Sequence, residues 1–262
     1  MSDESKKCII GDGNYVNILL AILARQHEHQ IIKNFIVVEQ NSERSRKLRT
    51  LFGVSTMPTA AEAIAQSNVL IIAMESPENA RKLMDEIRGK LLPDVLIVCM
   101  TNSIKIRELE KCFPKHPVMR LCLNPSAISG TGVGAFLPGS VASKDVEVFA
   151  KTIFMTLGRE IPVSSEDELE LVWNIIYLQT VYSYTALQTI IDCSVKAGLS
   201  EQKAKYIAGQ IVAGTLKTVL GENERLKETF SDVDFTKSIN HGLKIGRLYG
   251  FQEALEKAMS IR

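Results

Sequence analysis

One stretch near the start, Cys8-Ile9-Ile10-Gly11-Asp12-Gly13-Asn14-Tyr15-Val16, limits the fold more than any other. It reads as a short apolar strand running into a glycine turn and then into an amphipathic run from Val16 to Arg25. Gly11 permits the tight turn. Gly13 leaves backbone N–H groups uncovered at a helix N-terminus, the arrangement that receives a pyrophosphate in dinucleotide-binding folds. Val16 occupies the position of the third glycine in that pattern, and Asp12 sets a carboxylate in the turn, so the motif needs support from the rest of the chain.

The segments downstream supply it. Phe35-Ile36-Val37-Val38-Glu39 is a second apolar run, ending in an acid at the spacing where a carboxylate can hold a ribose hydroxyl. A strand end in water explains Glu39 equally well. Arg44 and Arg46 come next and offer cations to a 2′-phosphate, so both NAD and NADP stay open. The runs Asn68–Met74 and Val95–Met100 are apolar throughout, and helical patterns separate the runs. Continuous apolar runs alternating with helices predict parallel strands buried on both faces. The expected class is α/β, with a Rossmann-like doubly wound sheet over residues 1–162 and an all-helical dimerisation and substrate domain over 163–262.

Past Pro162 the pattern becomes helical. Ser164-Ser165-Glu166-Asp167 suits a helix start. One long helix is predicted from about Glu166 to Ala197, ending at Gly198. A second runs from Ser200 or Glu201 to Leu220, and shorter ones fill Leu226 to Ser260. Leu169, Val172, Trp173, Ile176, Tyr177 and Thr180 form a broad apolar stripe at helical spacing. Tyr177, Tyr182 and Tyr184 read as packing or interface residues, and so much apolar helix surface suggests burial against a second subunit.

A formal charge of +1 and a 45% hydrophobic composition argue against nucleic acid as a partner. The five cysteines show no C-x-x-C spacing and read as thiols of a reducing compartment. No apolar run approaches the ~20 residues that cross a bilayer, and the polar start Met1–Lys7 has no signal-like character, so a cytoplasmic protein without a membrane partner is expected. His27 and His29 form an H-x-H pair with no further ligand at metal spacing and read as an exposed loop, while His116 and His241 stand alone; no metal is expected.

The order of segments resembles the pyrroline-5-carboxylate reductase family over essentially the whole chain. The turn G-D-G-N-Y at 11–15 is similar to the family's G-x-G-N-M, and Pro117–Ala127 is similar to its P-V-V-R-V-M-P-N-T-P-A. Gly130–Ala135 continues as G-x-G-V-x-A. Val181-Tyr182, Asp192 through Gly198-Leu199, and Gly250-Phe251 match the long dimerisation helix, its exit and a later glycine-phenylalanine pair. The resemblance implies hydride transfer from NAD or NADP to a cyclic imine, giving proline in the parent family, and a homodimer or higher homo-oligomer. It places Gly11, Gly13, Asn14 and Tyr15 at the pyrophosphate, Ala73 and Met74 beside the cofactor, and Asn124 near the nicotinamide.

The departures point to an altered small-molecule substrate. The family's S-G-S-G-P turn, which receives the substrate carboxylate, falls on Ile176-Tyr177-Leu178-Gln179-Thr180, where an unbroken helix would leave that pocket filled or apolar. Its S-P-G-G-T-T loop falls on Asp234-Phe235-Thr236-Lys237-Ser238-Ile239, in which Ser238 is the candidate proton donor. A lysine-proline pair is replaced by Glu75-Ser76, and an acid on the long helix by Gln188. These residues leave two main classes of function: an imine or carbonyl reductase with an altered substrate, or a non-catalytic dimeric relative that binds or regulates. Proline synthesis through rebuilt loops is a third.

Overall fold

A computed structural model describes residues 6–24, 30–141 and 144–220. Eight strands form one sheet: β1 (Lys7–Gly11), β2 (Phe35–Val38), β3 (Ser55–Met57), β4 (Val69–Ala73), β5 (Leu96–Cys99), β6 (Val118–Leu123), β7 (Gly132–Pro138) and β8 (Gly158–Glu160). Seven helices connect them: α1 (Gly13–Ala24), α2 (Gln30–Lys33), α3 (Ser42–Phe52), α4 (Ala60–Ile64), α5 (Pro77–Ile87), α6 (Ile106–Cys112) and α7 (Lys144–Leu157). Two longer helices come after the sheet, α8 (Glu166–Lys196) and α9 (Glu201–Leu220). Chain contacts divide the protein into residues 1–176 and residues 177–262.

In the first unit the strand order is β3-β2-β1-β4-β5-β6-β7-β8. The first six strands are parallel. Consecutive connections build outward from β1 to β3, then return to build from β4 to β6 on its other side, so the order reverses between β1 and β4. All residues of β4, β5 and β6 are buried, as expected of strands covered on both faces. One apolar layer holds Ile9, Leu19, Val37, Ile71, Val98 and Leu121 with α1 and α7. The opposite layer holds Ile10, Ile36, Leu70, Ile97 and Val118 with α4, α5 and α6.

The sheet departs from the expected all-parallel pattern at its far side. β7 runs antiparallel to β6, joined through a short 3₁₀ turn (Pro125–Ser129) too small for a parallel crossover, and β8 then pairs with β7 in parallel after α7. That last pairing requires a glycine at 158. A Cβ on Gly158, whose φ is +134°, would lie 2.3 Å from the Gly132 carbonyl oxygen.

The long helix starts where the sequence predicts. Ser165 Oγ accepts from the Glu168 N–H at 3.2 Å, and the Glu168 carboxylate accepts from the Ser164 backbone N–H and hydroxyl. This reciprocal cap satisfies donors that a helix start otherwise leaves open. Leu169, Trp173 and Ile176 of the predicted stripe are buried, and the helix ends before Gly198 in a left-handed conformation. Residues 176–180 lie inside unbroken helix.

In the second unit, Ile191 packs with Ala204 and Ala208 across the α8–α9 turn. Several large apolar residues remain exposed there, with Val181 at 61%, Tyr184 at 68%, Tyr206 at 69% and Ile211 at 62%. Among the described residues no helix is long and apolar enough to cross a membrane, and no three His, Cys, Asp or Glu side chains gather as a metal site. Cys8, Cys99 and Cys122 are buried free thiols. Burial pushes Cys8 up to about 12 and Cys99 and Cys122 to about 11. The histidine pair at 27 and 29, the glycine-phenylalanine pair at 250–251, His241 and the helices expected over 226–260 lie outside the described residues.

Candidate functional site

In an open parallel sheet, ligands bind outside the carboxyl ends of the strands, where the strand order reverses. Here that crevice opens between the exits of β1 and β4. Gly11 pairs with Ala73 in register, and the two backbones touch: a Cβ on Gly11 would lie 2.2 Å from the Ala73 carbonyl oxygen and 2.8 Å from Val16 Cγ2. Val16, at the position of the missing third glycine, is buried in the core beneath the turn. The helix beginning at Gly13 directs its N-terminal N–H groups and the positive end of its dipole toward this edge.

Asp12 does not face open solvent as an isolated charge. Its Oδ1 accepts from the Glu75 N–H at 2.8 Å, and its own N–H donates to the Ala73 carbonyl at 3.3 Å. A carboxylate in the turn is therefore satisfied by the exit of β4. Tyr15, half-buried on α1, has its phenol pushed up by burial and by the negative charge of Glu75. Met74 is held by Thr101, a fully buried residue just past β5, whose hydroxyl accepts from the Met74 N–H at 3.2 Å and donates to its carbonyl at 2.9 Å.

Glu39 directly follows β2 on the same edge, but it is not a strand end solvated by water. Its side chain is 12% exposed, its Oε1 accepts from the Asn41 N–H at 2.8 Å, and its Oε2 lies 3.1 Å from Arg44 Nε. Asn41 also caps α3 by accepting from the Arg44 N–H at 2.9 Å, which fixes the arginine beside the acid. The acid and the first of the two candidate phosphate-binding cations thus form one pair; Arg46 is exposed.

Asn124 stands at the exit of β6, two strands from β4. Its Oδ1 accepts from the Ser126 N–H at 2.6 Å and its own N–H donates to the Val133 carbonyl at 3.0 Å, so it caps the 3₁₀ turn that reverses the chain into β7. The fold thus brings Gly11, Asp12, Tyr15, Ala73 and Met74 together and sets Glu39 and Asn124 along the same edge. Gly13 and Asn14 open α1. Ser238, the candidate proton donor, lies outside the described residues together with Thr236 and Lys237.

Sequence reasoning passed over two structural supports. Thr101 is a polar residue directly after an apolar strand, a weak signal by itself. Arg120 lies fully buried inside the apolar run of β6, where it pairs with Glu166 and, at 2.5 Å, with Glu170 of α8. It also stacks on Trp173, 5.1 Å from the ring centroid. Glu166 accepts from the Ile106 N–H at 3.0 Å, supplying α6 with the N-terminal partner that its own cap residue Lys105 does not provide. Lys105 reaches Glu170 at 2.9 Å. The signal was a lone arginine in a strand facing two acids four residues apart at a helix start.

Burial works to raise the Glu170 carboxyl, but hydrogen bonds and charge from Arg120 and Lys105 overcome it and hold the group below its ordinary 4.5. A depressed folded value adds stability above the unfolded value, and that stability is lost as pH falls through the folded value. Acid titration followed by circular dichroism is expected to show a loss beginning below about pH 4.5. Glu170→Gln should flatten that slope; an unchanged slope would remove Glu170 from the account.

A protein-family model described as "NADP oxidoreductase coenzyme F420-dependent" matches residues 6–103, from β1 past β5. Pyrroline-5-carboxylate reductase 1 of Bacillus spizizenii is 23% identical, covering 98% of this chain and 86% of its own. The pyrroline-5-carboxylate reductase of Synechocystis is 28% identical over 84% of this chain and 79% of its own. The crystal structure of Plasmodium falciparum pyrroline carboxylate reductase with NADP bound superposes with a TM-score of 0.82, covering 98% of this chain and 95% of that one, at 17% identity. The protein is thus similar in sequence to pyrroline-5-carboxylate reductases along most of its length and shares the fold of the solved one.

Proposed function

We propose that the protein is an NAD(P)-dependent oxidoreductase that delivers hydride to the carbon of an imine or related carbonyl. The observation carrying this reading is the crevice between β1 and β4, where Gly11 is admitted only without a side chain and a helix N-terminus comes immediately after it. A bound nicotinamide cofactor would supply the hydride. The protein's residues would hold it: the backbone of Gly11, Gly13 and Asn14 with Tyr15 at the pyrophosphate, Glu39 at the adenosine ribose, Ala73 and Met74 along the crevice wall, and Asn124 toward the nicotinamide. Ser238 is proposed to give the proton to the substrate nitrogen or oxygen. The relatives named above reduce a pyrroline carboxylate, by their names. Here the substrate is proposed to differ, a reading supported by unbroken helix over 176–180. The same unbroken helix favours a second reading, a non-catalytic dimeric relative.

Calorimetric titration with NADH and NADPH separates the two. Micromolar binding of either supports the oxidoreductase and justifies a screen of cyclic imines; no heat at millimolar cofactor favours the binding or regulatory relative.

The Glu39–Arg44 pair is proposed to set the choice of cofactor. Its carboxylate opposes a 2′-phosphate, while the guanidinium beside it attracts one. Glu39→Ala is expected to move the NADPH-to-NADH affinity ratio about tenfold toward NADPH, since charges a few ångströms apart near a surface interact by about 1–4 kcal/mol before screening. A ratio unmoved in this variant would place the ribose elsewhere.

We also propose a homodimer or higher homo-oligomer, supported by the exposed Val181, Tyr184, Tyr206 and Ile211. Light scattering behind a sizing column is expected to give at least twice the 29.1 kDa chain mass. A single chain at micromolar concentration would overturn it.

A further inference from the structure

We infer that Asp12 and Thr101 are positioning residues for the cofactor crevice, gripping the exit of β4 from its two sides and so setting the width of the opening that receives a dinucleotide pyrophosphate. This rests on the nicotinamide-cofactor reading above.

A strand exit at a sheet edge ordinarily leaves its last main-chain groups to water or ligand, because no further ladder partner exists. Around β4 they are taken by neighbours. The Ala73 carbonyl accepts from the Asp12 N–H, the Met74 N–H and carbonyl both bond to the Thr101 hydroxyl, and the Glu75 N–H donates to the Asp12 carboxylate. Three consecutive residues are thereby fixed, from β1 on one side and from the end of β5 on the other. The Thr101 hydroxyl is used as acceptor and donor at once, so its single proton is committed.

The arrangement also accounts for a carboxylate in a phosphate-binding turn. Asp12 keeps its charge there, and its bond to the Glu75 N–H ties the exits of the two strands together. A misplacement of about 1 Å in a binding wall is enough to cost large factors in affinity or rate. A positioning role therefore predicts that nucleotide binding tracks the hydrogen bonds and not the residue types.

The test compares full-length wild type with Thr101→Val, Thr101→Ser, Asp12→Ala and Asp12→Asn. It reads NADPH and NADH affinity by calorimetry and amide hydrogen exchange at Met74 and Glu75 without nucleotide. Valine keeps the shape of threonine but removes the hydroxyl, and asparagine keeps an acceptor while removing the charge. Thr101→Val, which loses two bonds, and Asp12→Ala, which loses one, are each expected to weaken the tighter nucleotide roughly tenfold, with faster exchange at Met74 or Glu75 respectively. Thr101→Ser and Asp12→Asn should bind within about threefold of wild type.

Wild-type affinity in folded Thr101→Val and Asp12→Ala would overturn the inference while leaving the cofactor reading intact. Equal losses in all four variants would also overturn it, because they would mark general damage. If Thr101→Val does not fold, Asp12→Ala against Asp12→Asn decides. A wild-type protein that binds neither nucleotide would overturn the cofactor reading, and this inference with it.

Discussion

Arg120→Ala is expected to lower the unfolding free energy by about 3–5 kcal/mol, the usual range for removing one partner of a buried ion pair. The guanidinium has no exposure to water, whereas the carboxylates of Glu166 and Glu170 are each about one-quarter exposed, at 27% and 25%. Removing the cation leaves two acids facing one another at the foot of α8. It also strips the stacking partner from Trp173 and empties a volume that the sheet cannot refill. Urea unfolding at fixed protein concentration measures the loss. A change under about 1 kcal/mol would mean that water already carries the carboxylates.

A second comparison separates charge from packing. Arg120→Met combined with Glu166→Gln and Glu170→Gln removes the charges of this triad while keeping side-chain bulk, leaves only the partly exposed Lys105 charged, and should recover much of the lost stability. Buried ion pairs contribute little net energy relative to well-packed neutral groups, because their desolvation offsets their attraction. What the triple variant should not recover is the N-terminal cap of α6, since glutamine accepts from the Ile106 N–H less strongly than a carboxylate does.

Gly11→Ala should abolish nucleotide binding measured at up to 100 times the wild-type dissociation constant, on the order of 3 kcal/mol. The atom in the way is main-chain: Ala73 O at 2.2 Å, with the Ala73 carbonyl carbon and Val16 Cγ2 both at 2.8 Å. A rotamer change relieves none of the first two. The strands must separate, which costs about 1–3 kcal/mol of stability for overpacking and widens the crevice at its narrowest point. Gly209→Ala on α9 is the control, because nothing lies within 4 Å of a Cβ there and alanine is the better helix former. A Gly11→Ala protein that binds nucleotide normally would show that the strand exits separate without consequence.

The central strands were legible because nothing but burial on both faces explains runs such as Val69–Ala73 or Leu96–Cys99. The start of α8 was legible from its serines and acids, and its end from Gly198. The reversal into β7 was not. Gly130-Thr131-Gly132-Val133-Gly134 carries too few side chains to show a strand period, and the antiparallel turn depends on Asn124 capping five residues of 3₁₀ helix. At the site, the glycine turn predicted the crevice, but the use of Asp12 was invisible, because its partner is a main-chain N–H 63 residues away. Thr101 was hidden for the same reason. Arg120 was visible as a letter within a family-like motif, yet its importance lies in two acids 46 and 50 residues further along the chain.

The thiols sealed in the sheet give the protein an internal clock. Cys8, Cys99 and Cys122 lie on three different strands, and a thiol with its pKa near 11 or 12 inside a closed core meets a labelling reagent only when that part of the sheet opens. Cys193, exposed on α8, reacts without waiting and supplies the reference rate. The order in which the three strands become reactive as denaturant rises would record, without any introduced probe, which part of the sheet comes apart first.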